Sequence, residues 1–526
     1  MKRLVFSLML LLTVSVLKSY SQGLNKVLIN PGSGFMSWEW LYPYLSLKDS
    51  PSDKLKPATS LVYFCMNNLT SDTCIYKDGR INERQVYKEV KRFFDKTLDY
   101  KRNIRYVVCL GSTYDGNALN HPQIISNASS DDGKLYLWYP QRMYNLIRKQ
   151  KYPPLVTKAI YPQKFKETKN VSILDFRNAL VQKYYEAVIR QFVRYLKEPV
   201  QSPKLESSSN AVTLCRKGDF ISRIEISFMG PWGEGITSYY KDYKDSKPLI
   251  KIAELFKKYL YDYWIIAPSY GMRTNTTPNK NLYEFQYYLL TTTYGSQKRD
   301  RNGLYYGKKE FGLGVSHLGQ QDYKNDFSLN YKNFDFKNKA LQKSKVAPFL
   351  GENGGQIIDE TKLLLQNIKE YGVSLCKPWC AGNINDIPAE YHEKWAEAAK
   401  FFGYRFYFSI PNIEIKNNAL RVYFHLGNRS YSPLYDDFWL PQIVIRDSND
   451  SLLQVIDADK FINLKSTPCL KDSFKYEVMV NKTIPLKTAL PKGAKVYFRV
   501  IDKYHINENM FLDNEWRTRN GEYLLR

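Results

Sequence analysis

Residues 223–235 read Arg223-Ile224-Glu225-Ile226-Ser227-Phe228-Met229-Gly230-Pro231-Trp232-Gly233-Glu234-Gly235. An apolar strand runs into glycines that surround a carboxylate. The pattern returns at Ala347-Pro348-Phe349-Leu350-Gly351-Glu352-Asn353-Gly354-Gly355. A short apolar run closed by turn residues fits a strand buried on both faces, as in a parallel sheet. Glycine beyond the strand lets the backbone take strained turns and approach a ligand closely.

Working outward from these two, eight candidate strands appear. They are Val27–Asn30 leading into Gly34-Phe35, Ser60–Cys65, Arg105–Leu110, Ser222–Met229, Trp264–Pro268, Gly312–His317, Val346–Leu350 and Val373–Trp379. Helical spacing lies between them. Val86, Val90, Phe93 and Phe94 follow Asn82, with Gln85 three residues on. Leu174, Val181, Tyr184, Val188, Phe192 and Tyr195 follow Ser172 as cap, and Leu249, Ile252, Phe256 and Tyr259 follow Ser246 as cap. Leu364, Ile368 and Tyr371 stop at Gly372, placed as a C′ glycine, and a last helix over 388–402 stops at Gly403. Strands alternating with helices make an α/β fold, and eight of them suit a (β/α)8 TIM-type barrel. The rival, an open doubly wound sheet, normally carries a Gly-rich phosphate turn after an early strand, and none is present. The strand-to-helix segments 111–171 and 274–309 are long and rich in Tyr, Asn, Lys and Pro, as active-site loops of barrels are.

Past Tyr404 the period changes to two. Leu420, Val422, Phe424 and Leu426 alternate, as do Val496, Phe498 and Val500. Further runs at Gln442–Arg446 and Lys475–Val480 lie between turn clusters such as Ser448-Asn449-Asp450 and Pro491-Lys492-Gly493. Short strands with regular turns predict a C-terminal β-sandwich. At the other end, Lys2 and Arg3, the apolar Leu4 to Leu17 and the small-x-small Ser19-Tyr20-Ser21 form a secretory signal. That run of ~14 residues is short of the ~20 that cross a bilayer. The expected organisation is a signal over 1–21, a barrel over 22–405 and a sandwich over 406–526. The mature chain is then exported, periplasmic or secreted, with no transmembrane segment.

The formal charge is +25. Removing Lys2, Arg3 and Lys18 with the signal leaves 25 − 3 = +22. A basic field attracts polyanions, so a uronate-bearing or sulfated glycan is one reading and a lysine-rich proteome is the other. No helix-turn-helix, finger or RNA-platform signature points to nucleic acid. Seven cysteines cannot all pair. Cys65, Cys109, Cys376 and Cys469 lie in or beside apolar runs and suit small core positions. Cys376 and Cys380, spaced C-x3-C, match neither a redox nor a usual zinc spacing. The five His residues are scattered, so neither a metal nor a cofactor is expected.

The carboxylates Glu234 and Glu352 follow strands four and seven. In this they resemble the retaining glycoside hydrolases of clan A, and Gly351-Glu352 resembles the nucleophile segment of barrel cellulases and galactosidases in that clan. Most of the chain also resembles a family of uncharacterised exported proteins with a barrel and a C-terminal sandwich. The segments that carry this are Asn30-Pro31, Gly34-Phe35, Gly230-Pro231-Trp232-Gly233-Glu234, Gly351-Glu352 and Asn520-Gly521-Glu522-Tyr523. The resemblance implies Glu234 as acid/base and Glu352 as nucleophile, acting on a carbohydrate. It departs from the clan in one respect, because Gly233 stands where Asn usually precedes the acid/base glutamate. Glu225 is an alternative acid/base, unless it is paired with Arg223. Around the same rim, Trp38, Trp40, Tyr114, Asp115, Trp232, Tyr270, Arg273, His317, Gln320, Asn353, Lys377 and Trp379 suit sugar binding. Aromatic faces stack on sugar rings, and the polar groups bond hydroxyls. A non-catalytic glycan-binding protein on a degenerate barrel is the alternative, and a surface-assembly role for the sandwich is a third.

Overall fold

The fold was analysed in a computed structural model. It describes the chain outside 1–27, 31–33, 39–58, 66–68, 102–103, 112–122, 127–132, 161–167, 202–213, 227–245, 269–279, 296–308, 316–329, 332–333, 353–364, 378–391 and 471–476, and outside positions 29, 70, 138, 417, 508, 515, 516 and 526. The signal expected over 1–21 lies outside the described residues.

Eight parallel strands form a closed ring. They are β1 (Gly34–Trp38), β2 (Thr59–Cys65), β3 (Arg105–Gly111), β4 (Ile221–Ile226), β5 (Trp264–Pro268), β6 (Gly312–Val315), β7 (Phe349–Glu352) and β8 (Val373–Lys377). Each pairs with the next, and β8 pairs back to β1. All eight expected strands are present, with two shifts. The first starts at Gly34 rather than near Val27, and the seventh starts at Phe349, three residues beyond the exposed Val346.

A strand sends alternate side chains to opposite faces. Here both faces are buried, in two separate apolar clusters. Val62, Phe64, Tyr106, Val108, Ile224 and Ile265 join the large outer core with helix residues such as Phe94 and Phe192. Met36, Leu61, Val107, Cys109, Ile266, Leu350 and Leu375 form a separate cluster inside the ring. Gly312 belongs to this tight interior. A Cβ there would lie 2.4 Å from the Ile266 side chain and 2.3 Å from the Pro348 carbonyl oxygen.

A helix follows each of β2 to β8. These are α1 (Glu83–Thr97), α2 (Ala179–Leu196), α3 (Lys247–Tyr259), α4 (Lys280–Thr291), α5 (Phe336–Lys343), α6 (365–371) and α7 (His392–Ala399). Asn82 caps α1 as expected, its side chain accepting from Gln85 N. Gly372 and Gly403 take the left-handed conformation that ends a helix (φ 59° and 63°), and Gly372 N–H bonds Ile368 O at 2.8 Å.

Three expectations need correction. Ser172 is not a cap: it lies in a strand over Thr168–Ile173, buried and bonded to the Tyr139 hydroxyl at 2.5 Å, and Leu174 is outside the helix. The cap of α2 is Asn178, whose Oδ1 accepts from Leu180 N and Val181 N. Ser246 precedes α3, but its helical backbone angles leave the hydroxyl without a capping bond. Third, the long segment after β3 has structure of its own. Strands Gln123–Ser126, Lys134–Leu137, Leu155–Ile160 and Thr168–Ile173 form one sheet, with a short helix over Gln141–Ile147. The segment after β5 likewise contains α4.

From Phe406 onward the chain is antiparallel. Strands β9 (Phe406–Lys416), β10 (Ala419–Asn428) and β13 (Glu477–Pro485) form one sheet. Strands β12 (Leu452–Asp457), β11 (Trp439–Arg446), β14 (Lys495–Asp502) and β15 (Tyr523–Leu524) form the other. Their apolar faces share one core, in which Phe498 of the second sheet lies 5.3 Å from Phe424 and 6.1 Å from Phe408 of the first. Two of the quoted sequence segments are structural here. Asn30 donates to Phe511 O and accepts from Phe511 N, tying the start of the chain to the sandwich. Glu522 is fully buried and bonds Arg446 through both oxygens at 2.8 Å and Arg499 at 3.2 Å.

Candidate active site

The two ends of the barrel differ. At the N-terminal end the interior carries charged and aromatic residues that the sandwich covers. Arg105 is 1% exposed and donates from Nη2 to both oxygens of Asp502, at 2.8 and 2.7 Å. The Phe438 ring covers its guanidinium at 3.5 Å. Arg223 is fully buried, and its Nη1 lies 3.6 Å from Asp436 Oδ1. Trp264 donates from Nε1 to Tyr435 O at 2.8 Å, and the Tyr435 hydroxyl donates to Ser344 O at 2.6 Å. Burial pushes Asp436 above the usual carboxylate range, against the pull of Arg223 and Arg105.

The C-terminal end is where barrels build their sites. One row of paired positions leads there across five strands: Tyr63, Cys109, Glu225, Ile266 and Gly312. Glu225 stands in this row between Cys109 and Ile266, both in the interior cluster, and is 5% exposed. Paired neighbours in a parallel sheet share a face, so strand four puts a carboxylate on the interior face, two residues beyond Arg223. Strand β7 ends at Glu352, paired in register with Lys377, the last residue of β8. Positions 352 and 377 have the parity of Leu350 and Leu375, which are interior residues. Trp38 is the last residue of β1 and is paired with Leu61.

Of the positions expected to form the site, Trp38, Glu352 and Lys377 are thus described as strand ends, through their backbones. Glu234, Trp40, Tyr114, Asp115, Trp232, Tyr270, Arg273, His317, Gln320, Asn353 and Trp379 lie outside the described residues. Sequence reasoning gave Glu225 second place because it sits mid-strand. Its signal was the interruption of an apolar run by Arg223 and Glu225 at alternate positions, which puts both on one face.

Among the described residues cysteine contributes to packing. Cys74, Cys109, Cys215, Cys376 and Cys469 are buried free thiols. Burial pushes the Cys74 thiol up to about 12 and Cys215 to about 11, far from the thiolate form that reacts. Among the described residues no helix is long and apolar enough to cross a membrane.

No family model matches the sequence. No curated protein matches it either. Among solved structures the chain is similar to endo-glycoceramidase II from Rhodococcus sp. in a complex with a cellobiose-like isofagomine. The two are 10% identical, with a TM-score of 0.37 over 88% of this chain and 98% of that one. The same enzyme in a ganglioside GM3 complex gives 9% identity and a TM-score of 0.36 over 88% and 97% of the two chains. OgpA from Akkermansia muciniphila gives 13% identity and a TM-score of 0.14 over 63% and 84%.

Proposed function

We propose that the chain is a retaining glycoside hydrolase that works at the C-terminal mouth of its barrel. The observation that carries this reading is Glu352 at the C-terminal end of β7, with strand four leading into the sequence segment that holds Glu234. The opposite end of the same barrel is covered by the sandwich. In this reading the Glu352 carboxylate attacks the anomeric carbon. The glycosidic C–O bond breaks as an ester bond to Glu352 forms, and the acid/base gives its proton to the departing oxygen. Water then attacks the same carbon while the acid/base takes a proton back, and Glu352 is released. Retaining geometry needs the two carboxyl groups ~5–5.5 Å apart. Glu234, on the segment after β4, is the acid/base, and Glu225 is the residue it is tested against. The rim residues Trp38, Trp232 and Lys377 bind the sugar, and the basic net charge favours an acidic glycan. The proposal extends to export of the mature chain and to its division into a barrel over 22–405 and a sandwich over 406–526.

Hydrolysis of a broad glycan panel by the wild type and three Gln variants tests the reading. Glu352→Gln keeps the shape of the side chain but cannot form the ester, so turnover is lost while ground-state binding stays. Loss of a general acid costs ~10²–10⁴-fold, and it costs less for activated aryl glycosides, whose leaving group needs little protonation. Glu234→Gln should show that pattern and be rescued by azide, with retained configuration in the product. If Glu225→Gln shows it instead, the acid/base role moves to strand four. Full activity in Glu352→Gln defeats the mechanism. Binding without hydrolysis across the panel favours a glycan-binding protein, the reading that Gly233 in place of Asn keeps open.

A further inference from the structure

We propose that Lys377 is the counter-charge of Glu352 and sets the acid limit of turnover at the barrel mouth. The proposal rests on Glu352 being the nucleophile, and it adds a control on that group's charge. The ester bond to the anomeric carbon forms from the carboxylate, so a protonated Glu352 is inactive. The eight barrel strands contain five charged residues, Arg105, Arg223, Glu225, Glu352 and Lys377. Arg105 and Arg223 meet Asp502 and Asp436 of the sandwich at the covered end. Glu225 shares one face of β4 with Arg223, two residues away. Glu352 has no basic residue on its own strand. It is paired in register with Lys377, at the ends of β7 and β8.

The register supplies the distance, and the surroundings supply the need. Neighbouring strands lie ~4.8 Å apart, and paired positions share a face. A cation within ~4–6 Å favours the ionised form of a carboxyl group and lowers its pKa by ~1–3 units. The pair one step further in is apolar, Leu350 with Leu375, and both belong to the interior cluster with Met36 and Cys109. Apolar surroundings alone favour the neutral acid. Beyond β8, strand β1 brings no charge to this level. Its Gly34 pairs with Leu375 and its Phe35 with Cys376, and it runs on through Met36, Ser37 and Trp38. On the other side of β7, Val315 of β6 pairs with Gly351, and β6 contains no charged residue. Among the barrel strands, Lys377 is therefore the cation placed to hold Glu352 ionised. A lowered carboxyl pKa extends turnover toward lower pH, so loss of Lys377 raises the acid limit.

The test uses the full chain and reads the charge of Glu352 with and without turnover. A water-soluble carbodiimide with an amine couples to a carboxyl group in its protonated form, so labelling against pH reports ionisation. The label is read in the tryptic peptide 346–362, where tandem mass spectrometry separates Glu352 from Asp359 and Glu360. Lys377→Met should raise the labelling midpoint of Glu352 by about one pH unit or more. The acid limb of kcat/KM should move by the same amount. Lys377→Arg keeps the charge and should leave both where they are in the wild type. The proposal is overturned if Lys377→Met leaves the midpoint unchanged, or if Lys377→Arg moves it as far as Lys377→Met does. It is also overturned if the midpoint moves while the acid limb of an active chain does not. A loss in Lys377→Met confined to KM for acidic sugars overturns it as well, by making Lys377 a substrate contact alone. A raised midpoint in a chain that hydrolyses no glycan upholds the charge pair and defeats the hydrolase reading instead, so the two failures are distinct.

Discussion

At one end of the barrel the interior charges are Arg105 and Arg223, and their carboxylate neighbours, Asp502 and Asp436, come from the sandwich. At the other end the strands themselves supply the charged positions Glu225, Glu352 and Lys377. The first arrangement joins two parts of the chain. A guanidinium far from water needs a fixed anion, and the sandwich holds one rigidly. The second lies at the end where the proposed hydrolysis takes place. Substitutions at the covered end should therefore cost stability, and those at the mouth should cost chemistry or binding.

The largest break in that contrast is at Asp502. Removing one partner of a buried, hydrogen-bonded ion pair costs about 3–5 kcal/mol, because the other charge is left without compensation. Asp502 also accepts from Tyr504 N, Asn507 N and Asn507 Nδ2 at 3.0–3.2 Å. Asp502→Ala is expected to lower the unfolding free energy, read from urea denaturation, by that amount and to loosen the 503–507 turn. Arg105→Met should cost less, since Asp502 keeps those three donors. Glu352→Gln, at the mouth, should stay within about 1 kcal/mol of the wild type. An equal loss in Glu352→Gln and Asp502→Ala would mean that the two ends are not built differently.

A smaller effect is expected at Trp264. Trp264→Phe keeps an aromatic ring against Tyr435 but removes the N–H that satisfies its carbonyl. A buried acceptor left unpaired costs ~1–3 kcal/mol, so the variant should be less stable by about 1–2 kcal/mol with turnover at the mouth intact. A turnover loss larger than the stability loss would show that the covered end also shapes the mouth.

How much of this could be read in the sequence depended on distance along the chain. The barrel strands announce themselves locally, because a strand buried on both faces is mostly apolar, as Trp264–Pro268 is. Asn82, Gly372 and Gly403 were legible for the same reason, since a cap acts within four residues. The sheet after β3 was not, because strands such as Gln123–Ser126 have mixed polarity and lie among turn residues. The sandwich alternation at Leu420, Val422, Phe424 and Leu426 was plain. The partners of Arg105 and Arg223 could not be read, being 397 and 213 residues away (502 − 105 and 436 − 223). Glu225 falls between these cases. Its inward face follows from the two-residue period and the apolar Cys109 and Ile266 beside it, but only once the strand pairing is known.

The smallest expected effect separates burial from ion pairing at Asp436. Burial raises its pKa, and Arg223 and Arg105 pull it down less strongly. Because the folded value lies above the unfolded one, the folded chain holds more protons between the two. The slope of unfolding free energy with pH follows the protons bound unfolded minus those bound folded, and is therefore negative in that window. Stability from this group is highest below the ordinary carboxylate range. It is lost as pH rises through the folded value, and is constant beyond it. Asp436→Asn has no such dependence, so the stability difference between variant and wild type isolates it from the other carboxylates. Urea midpoints of both proteins from pH 3.5 to 8 should show the difference moving in favour of Asn as pH rises, then levelling. A difference moving the other way would mean that Arg223, 3.6 Å away, outweighs burial. The junction would then be an ion pair like Arg105–Asp502 rather than a carboxyl whose pKa burial raises.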